Sequence, residues 1–243
     1  MSYDSTARFG PRAQAYAAFR PAYPAGAIDF ALAGLGDPVA LCIADVGAGT
    51  GISARLFAER GAGVVAIEPN ARMREAAEEH PRVRWLDGTA ISTGLADESV
   101  DLVVACQAFH WFANDEAMGE FRRIARRRAA MLQYERDEGD AFTHAYGDVV
   151  RAYATDDTEA LRARALERFA AFPRARVSRA GFESVQRLDR EGFLGRASSA
   201  SYLPAQGPQA QALRADLEAL FDRFERGGAV GLAMVTFALA ADF

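Results

Sequence analysis

Leu41-Cys-Ile-Ala-Asp-Val-Gly-Ala-Gly-Thr-Gly51 is an apolar run that meets an acidic residue and then a turn with glycine at three alternate positions. No other stretch limits the fold as tightly. Residues 41–46 have the length and character of a strand buried on both faces of a parallel sheet. Gly47, Gly49 and Gly51 let the backbone turn sharply and let a ligand approach where a Cβ would stand in the way. Residues 52–60, with Ile52, Leu56 and Phe57 on one side, continue as a helix whose N-terminus faces that ligand. Strand, glycine turn and helix in that order belong to a layered α/β fold.

The spacing narrows the ligand. A dinucleotide-binding turn of the Gly-x-Gly-x-x-Gly kind needs its third glycine at position 52, where this chain has Ile52. Asp45, just before the turn, repels a pyrophosphate and suits a ligand that offers an ammonium group. S-adenosylmethionine (SAM) carries such a group and a sulfonium, and it has no phosphate. A second acidic landmark, Glu68, follows the apolar Val64-Val-Ala-Ile67, where a carboxylate can accept hydrogen bonds from both ribose hydroxyls.

With 243 residues, 50% of them hydrophobic, the chain can bury a full core as one domain with at most a small appendage. Its net charge of -5 gives no basic field to draw nucleic acid. Every basic residue is Arg, which with the abundance of Ala reads as the mark of a GC-rich bacterial genome. Cys42 and Cys106 both fall in strand candidates and read as reduced and buried. No basic stretch followed by an apolar run opens the sequence and no apolar segment reaches the ~18 residues a membrane span needs, so a cytoplasmic location without membrane contact is expected.

Residues 13–19 are helix-prone, Arg20-Pro-Ala-Tyr-Pro24 breaks them, and residues 25–35 form a second helix stopped by Gly34, Gly36 and Pro38. Tyr16, Arg20 and Tyr23 suit a lid, because rings favour a sulfonium and Arg clamps a carboxylate. Ordinary packing of an N-terminal helix is the alternative. Downstream, Asn70 caps a helix that carries Met73, Ala76 and Ala77 and ends before Pro81. Residues 82–86 and 100–106 are further strands, 115–127 an amphipathic helix, and 129–133 a fifth strand. Asp45, Glu68, Asp87 and Gln107 then meet in the crevice at the strand ends. Residues 141–154 and 158–172 read as inserted helices, with the arginines from Arg162 to Arg179 as a solvated face. Residues 229–243 form a last, antiparallel strand.

Taken together, Asp45-Val-Gly-Ala-Gly-Thr-Gly51, Ile67-Glu-Pro-Asn70, Gly88-Thr-Ala90 and Gln107-Ala-Phe-His-Trp-Phe112 resemble the class I SAM-dependent methyltransferases. Arg20-Pro-Ala-Tyr-Pro24 resembles the trans-aconitate methyltransferase-like branch, and the likeness runs on to Gly195-Arg-Ala-Ser-Ser-Ala-Ser-Tyr202. The resemblance implies a Rossmann-like, doubly wound α/β sheet of seven strands, mostly parallel with an antiparallel C-terminal strand, plus a helical cap. Residues 1–38 form a lid, 39–135 the SAM-binding core, 136–228 an acceptor cap with the sixth strand, and 229–243 the last core strand.

It also implies roles. Asp45, Gly47, Ala48, Gly49, Thr50 and Gly51 hold the methionine part of SAM, with Arg20 on the lid side. Glu68 takes the ribose, Pro69, Asn70 and Met73 surround ribose and adenine, and Gly88, Thr89 and Ala90 lie at the adenine edge. Gln107 and His110 sit near the transferring methyl, and His110, Trp111, Tyr134, Arg196, Ser201 and Tyr202 face the acceptor. The chain departs from the family pattern at Ile91, at Arg126-Arg-Arg128 where a Pro-Gly-Gly turn is usual, and at Gln133-Tyr134 in place of Trp-Asn.

The expected reaction is methyl transfer by in-line displacement, driven by positioning, to a small-molecule acceptor. Arg20 and Arg196 favour an anionic one such as a carboxylate. SAM is the cofactor, S-adenosylhomocysteine (SAH) the product, and no metal is called for. A phenol, amine or thiol acceptor activated by a base is an alternative, with His110 as first candidate base and Tyr16 or Tyr23 behind it. A non-catalytic SAM-binding protein is another, and a nicotinamide-dependent oxidoreductase is disfavoured by Ile52 and Asp45. Nucleic-acid partners are not expected, and the chain reads as a monomer or homodimer.

Overall fold

A computed structural model describes residues 18–243. Seven strands form one sheet in the order β3-β2-β1-β4-β5-β7-β6. They are β1 Cys42–Val46, β2 Gly63–Ile67, β3 Val83–Leu86, β4 Val100–Cys106, β5 Ala125–Arg136, β6 Arg176–Asp189 and β7 Ala229–Asp242. The first five run parallel, and β7 lies antiparallel between β5 and β6. This is the Rossmann-like seven-stranded sheet expected from the sequence, antiparallel C-terminal strand included.

Burial follows strand order. β1 and β4 are almost wholly buried because helices cover both faces, whereas β6, at the edge, alternates between exposed and half-buried residues. Two apolar layers result. One packs Ile28, Phe57 and Phe193 on one face, and the other stacks Phe109, Phe121 and Phe169 on the opposite face. Each of these six side chains is fully buried, worth about 1.5–3 kcal/mol of apolar burial apiece.

The helices are α1 Ala25–Leu32, α2 Ile52–Glu59, α3 Ala71–Glu75, α4 Asp115–Ile124, α5 Ala141–Tyr153, α6 Thr158–Ala170, α7 Arg190–Ser198 and α8 Gly207–Phe224. Asn70 caps α3 by accepting from the Arg72 amide, but the helix stops at Glu75, short of the turn expected to carry Ala76 and Ala77. The larger difference is at β5. Residues 125–128 belong to the strand, whereas the sequence reads as helix through 127, since Ala and Arg favour helices. Pairing to β4 and β7 overrides that preference. The three arginines pin the strand's start: Arg126 to Asp101, Arg127 to the Gly34 and Leu35 carbonyls, and Arg128 to Asp242 and the carbonyls of Ala31 and Ala33. Cys42 and Cys106 are free thiols, half-buried and buried. No helix of the described residues is long and apolar enough to cross a membrane.

Candidate functional site

The glycine turn leaves β1 and is pinned to its neighbour. The Gly47 and Ala48 amides both donate to the Ile67 carbonyl at the end of β2, at 2.9 and 3.1 Å. Gly47 has φ +71°, and a Cβ there would stand 2.7 Å from that of Ala108. A side chain is thus excluded twice, by conformation and by contact with the loop after β4.

Beside this turn lies a cavity of about 270 Å³, close to the small end of the range for ligand pockets. Its walls come from four strand ends. Gly47 and Gly49 follow β1; Glu68, Pro69, Asn70 and Met73 follow β2; Gly88, Thr89 and Ala90 follow β3; Gln107 and Trp111 follow β4. Ile91, where the chain departs from the family pattern, also lines it, as do Ala108 and Phe112 of the motif after β4, whereas nothing in the sequence pointed to Asn114, two residues beyond that motif. Glu68 is held with both oxygens engaged: Oε2 accepts from the Gly49 amide at 3.0 Å and Oε1 from the Asn70 amide at 2.9 Å. Burial pushes its carboxyl up against the pull of those two amides.

Several expected contributors stand back from this cavity, and two of them, Arg20 and Ala48, line the smaller space beside it. Asp45 is fully buried and accepts from the Ser53 hydroxyl at 2.6 Å through Oδ2, while Oδ1 has no hydrogen-bond partner among the described residues. Burial pushes its carboxyl up to about 7, with Glu68 adding to the shift and Ser53 opposing it. Thr50 is buried with its hydroxyl likewise unpartnered among the described residues. Gly51, with φ +77°, makes room for the Trp85 ring. Asp87 is not part of the wall and pairs with Arg74.

Gln107 differs from its expected role at the methyl group. Its amide nitrogen donates to the Tyr134 carbonyl at 3.1 Å and its oxygen accepts from the Tyr134 amide at 3.2 Å, so the side chain extends the β4–β5 ladder by one residue. Both its polar atoms are spent on that clasp. The backbone there is strained, at φ +52°.

Two smaller spaces adjoin the first. One, of about 20 Å³, is lined by Arg20, Tyr23, Ala48, Ser53, Cys106 and Tyr134. Arg20 donates to the Tyr134 hydroxyl at 3.3 Å and to the Ser199 carbonyl at 3.2 Å, and Gln186 donates to the Phe19 carbonyl at 3.0 Å. The chain around residues 19–23 is therefore stitched to β5, β6 and the end of α7. Tyr16 lies outside the described residues. Arg196 is buried behind the Tyr134 ring, 5.5 Å from its centre, and donates to Gln186. Burial pushes the Tyr134 phenol up, but Arg20, Arg196 and Arg162 outweigh it and hold it below the usual tyrosine range.

The other space, about 30 Å³, joins Arg20, Gln107, His110, Trp111, Thr158, Arg162, Ser201 and Tyr202. It unites four residues expected at the acceptor, His110, Trp111, Ser201 and Tyr202, with one read as part of a solvated face. Arg162 is only 6% exposed. Helical spacing does not show which turn of α6 faces inward when apolar and Arg positions interleave. His110 is buried, and burial together with Arg162 and Arg20 lowers its imidazole to about 3. It is neutral at physiological pH and a weak match for the proton of a phenol or amine.

Comparison with known proteins agrees with this geometry. Residues 44–132 match a family model described as a methyltransferase domain. An uncharacterized methyltransferase of Mycobacterium tuberculosis is 35% identical over 150 residues, 60% of each chain. Malonyl-[acyl-carrier protein] O-methyltransferase of Pectobacterium atrosepticum is 35% identical over 88 residues, 35% of each chain. The matched stretch thus spans less than two thirds of each of these relatives. A solved structure from Anaeromyxobacter dehalogenans, assigned as a type II methyltransferase, superposes with a TM-score of 0.64 at 25% identity, over 93% of this chain and 97% of that one. Residues 44–132 thus resemble a methyltransferase domain, and the described sheet has the Rossmann-like fold of that solved structure.

Proposed function

We propose that the whole chain is a class I SAM-dependent methyltransferase that acts on a small anionic molecule, within the trans-aconitate methyltransferase-like branch that Arg20-Pro-Ala-Tyr-Pro24 resembles. One observation supports the donor above all others. Glu68 stands at the wall of the larger cavity, fixed by the Gly49 and Asn70 amides, beside a glycine turn that admits no Cβ.

These residues fit SAM. Glu68 would hold the ribose hydroxyls, Met73, Thr89 and Ala90 would flank the adenine, and the glycine turn would receive the methionine end with Asp45 behind it. When bound, SAM supplies a methyl group activated by its sulfonium. The protein's own contribution is to position and desolvate. Tyr23 and Tyr134, with rings 5.9 Å apart, wall off the small space beside the turn and exclude water. Arg20, Arg162 and Arg196 make the acceptor side cationic, which favours a carboxylate, and a carboxylate needs no general base. His110, held neutral, orients the acceptor by hydrogen bonding.

Isothermal titration with SAM and SAH tests the donor: wild type is expected to bind both, and Glu68→Ala to weaken SAM about 10-fold or more, the loss of a hydrogen-bonded charged partner. Equal affinity in the variant would refute the assignment. Turnover of labelled SAM with a carboxylic-acid panel tests the acceptor class and separates an enzyme from a protein that only binds SAM.

A further inference from the structure

Arg162 is a buried guanidinium with one edge unused. Its Nε and Nη2 have no hydrogen-bond partner among the described residues, and these two nitrogens lie on the same side of the planar group. That edge presents two parallel N–H donors at the spacing of the two oxygens of a carboxylate. The neighbouring Glu135 balances the charge without satisfying the donors: its Oε1 is 3.7 Å from Nε, beyond hydrogen-bond reach, and accepts instead from Gln133 at 2.8 Å. On the same cavity, His110 Nδ1 is also buried with no partner among the described residues. Arg162 and His110, each carrying buried polar atoms without a partner among the described residues, therefore line one space on the order of a carboxylate group.

We propose that the Arg162 edge is the anchor for a carboxylate of the acceptor, and that this carboxylate is held and not methylated. The inference rests on the methyltransferase reading above. Gln107 and Trp111 wall both this cavity and the larger one, so the anchored group lies on the far side of them from the cofactor space. An oxygen bound in a guanidinium fork also has its lone pairs engaged and its charge neutralised, which makes it a poor nucleophile. The methyl therefore goes to a second group of the same molecule, one that reaches past Gln107 and Trp111. That group forms the new bond with a lone pair, the carbon–sulfur bond breaks, and its electron pair stays on sulfur. A second carboxylate balances the step with no base and no oxidant. The acceptor class is an acid with two functional groups.

The test uses the full chain saturated with SAH and titrated calorimetrically with glutarate, succinate and benzoate. At least one acid is expected to bind wild type, to bind Arg162→Lys several-fold more weakly because an ammonium has no fork, and to bind the Arg162→Gln/Glu135→Gln double variant at least 10-fold more weakly. The double variant leaves no buried carboxylate behind, and SAH affinity within twofold of wild type shows that it folds. Equal acid binding by wild type and double variant overturns the anchor, and so does the absence of binding by all three acids. Failure of SAH itself to bind overturns the methyltransferase reading instead. With SAM in place of SAH, benzoate offers only the carboxylate to be anchored and is expected to stay unmethylated. Appearance of methyl benzoate would overturn the second half of the proposal.

Discussion

The larger cavity and the small arginine-lined one share a wall at Gln107 and Trp111, yet they are built of different material. The first is framed by main chain, with strand ends, a glycine turn whose Gly47 and Ala48 amides are spent on the Ile67 carbonyl, and a carboxylate fixed by two more amides. Everything in it follows from the register of four adjacent parallel strands. The second is made of long side chains from segments far apart, Arg20, His110, Arg162 and Tyr202, and its shape depends on how those segments dock. A backbone site tolerates no change in the backbone, whereas a side-chain site can be redrawn one residue at a time. One region is suited to a fixed donor and the other to a changing acceptor.

Perturbations of graded size test that contrast. Gly47→Ala strikes the backbone site where a Cβ would meet Ala108, and SAH affinity is expected to fall about 100-fold or more by calorimetry, roughly 3 kcal/mol. If it binds normally, the main-chain site is less rigid than described. Arg128→Met breaks the link between β5 and the end of α1, leaving two carbonyls and Asp242 without their donor. A loss of about 3 kcal/mol in chemical denaturation is expected. His110→Gln probes the other region through pH. The folded imidazole sits at about 3 and the unfolded one near 6.5, so below pH 6.5 the unfolded state takes up a proton that the folded state refuses. Wild type therefore loses about 2 kcal/mol from this group between pH 7 and pH 5, and the glutamine variant is expected to show a shallower fall in Tm over that range. Gln107→Ala, at the shared wall, removes the clasp on Tyr134 and should cost about 1 kcal/mol. If the shared wall couples the regions, it should weaken SAH and acid binding together.

The two regions also differ in how legible they are in the sequence. Gly47 and Glu68 could be placed because glycine at a tight turn and a carboxylate at a strand end leave few alternatives, whereas Asp45, expected at the ligand, is buried against Ser53 behind the turn. Burial of Arg162 could not, since a helix with interleaved Ala and Arg shows no apolar face, and it is turned inward by contacts with the turn after β4 and with β7. Residues 125–127 read as helix in the sequence for a related reason: local preference favours helix, and the strand is imposed by partners, one of them more than 100 residues away. The clasp of Gln107 on Tyr134 is equally invisible, because it depends on a left-handed residue at the end of β4.

The position of β7 bears on how such a chain is made. It lies between β5 and β6 although it comes after both. During synthesis β1 to β5 can pair in succession, but β6 has nothing to pair with until β7 emerges and inserts. Until then the free side of β5 is an open edge, with Ala129, Ala130, Met131 and Leu132 on it, prone to pair with another nascent chain. The final strand acts as a keystone, and the interval before it arrives is when this protein is most exposed to misassembly.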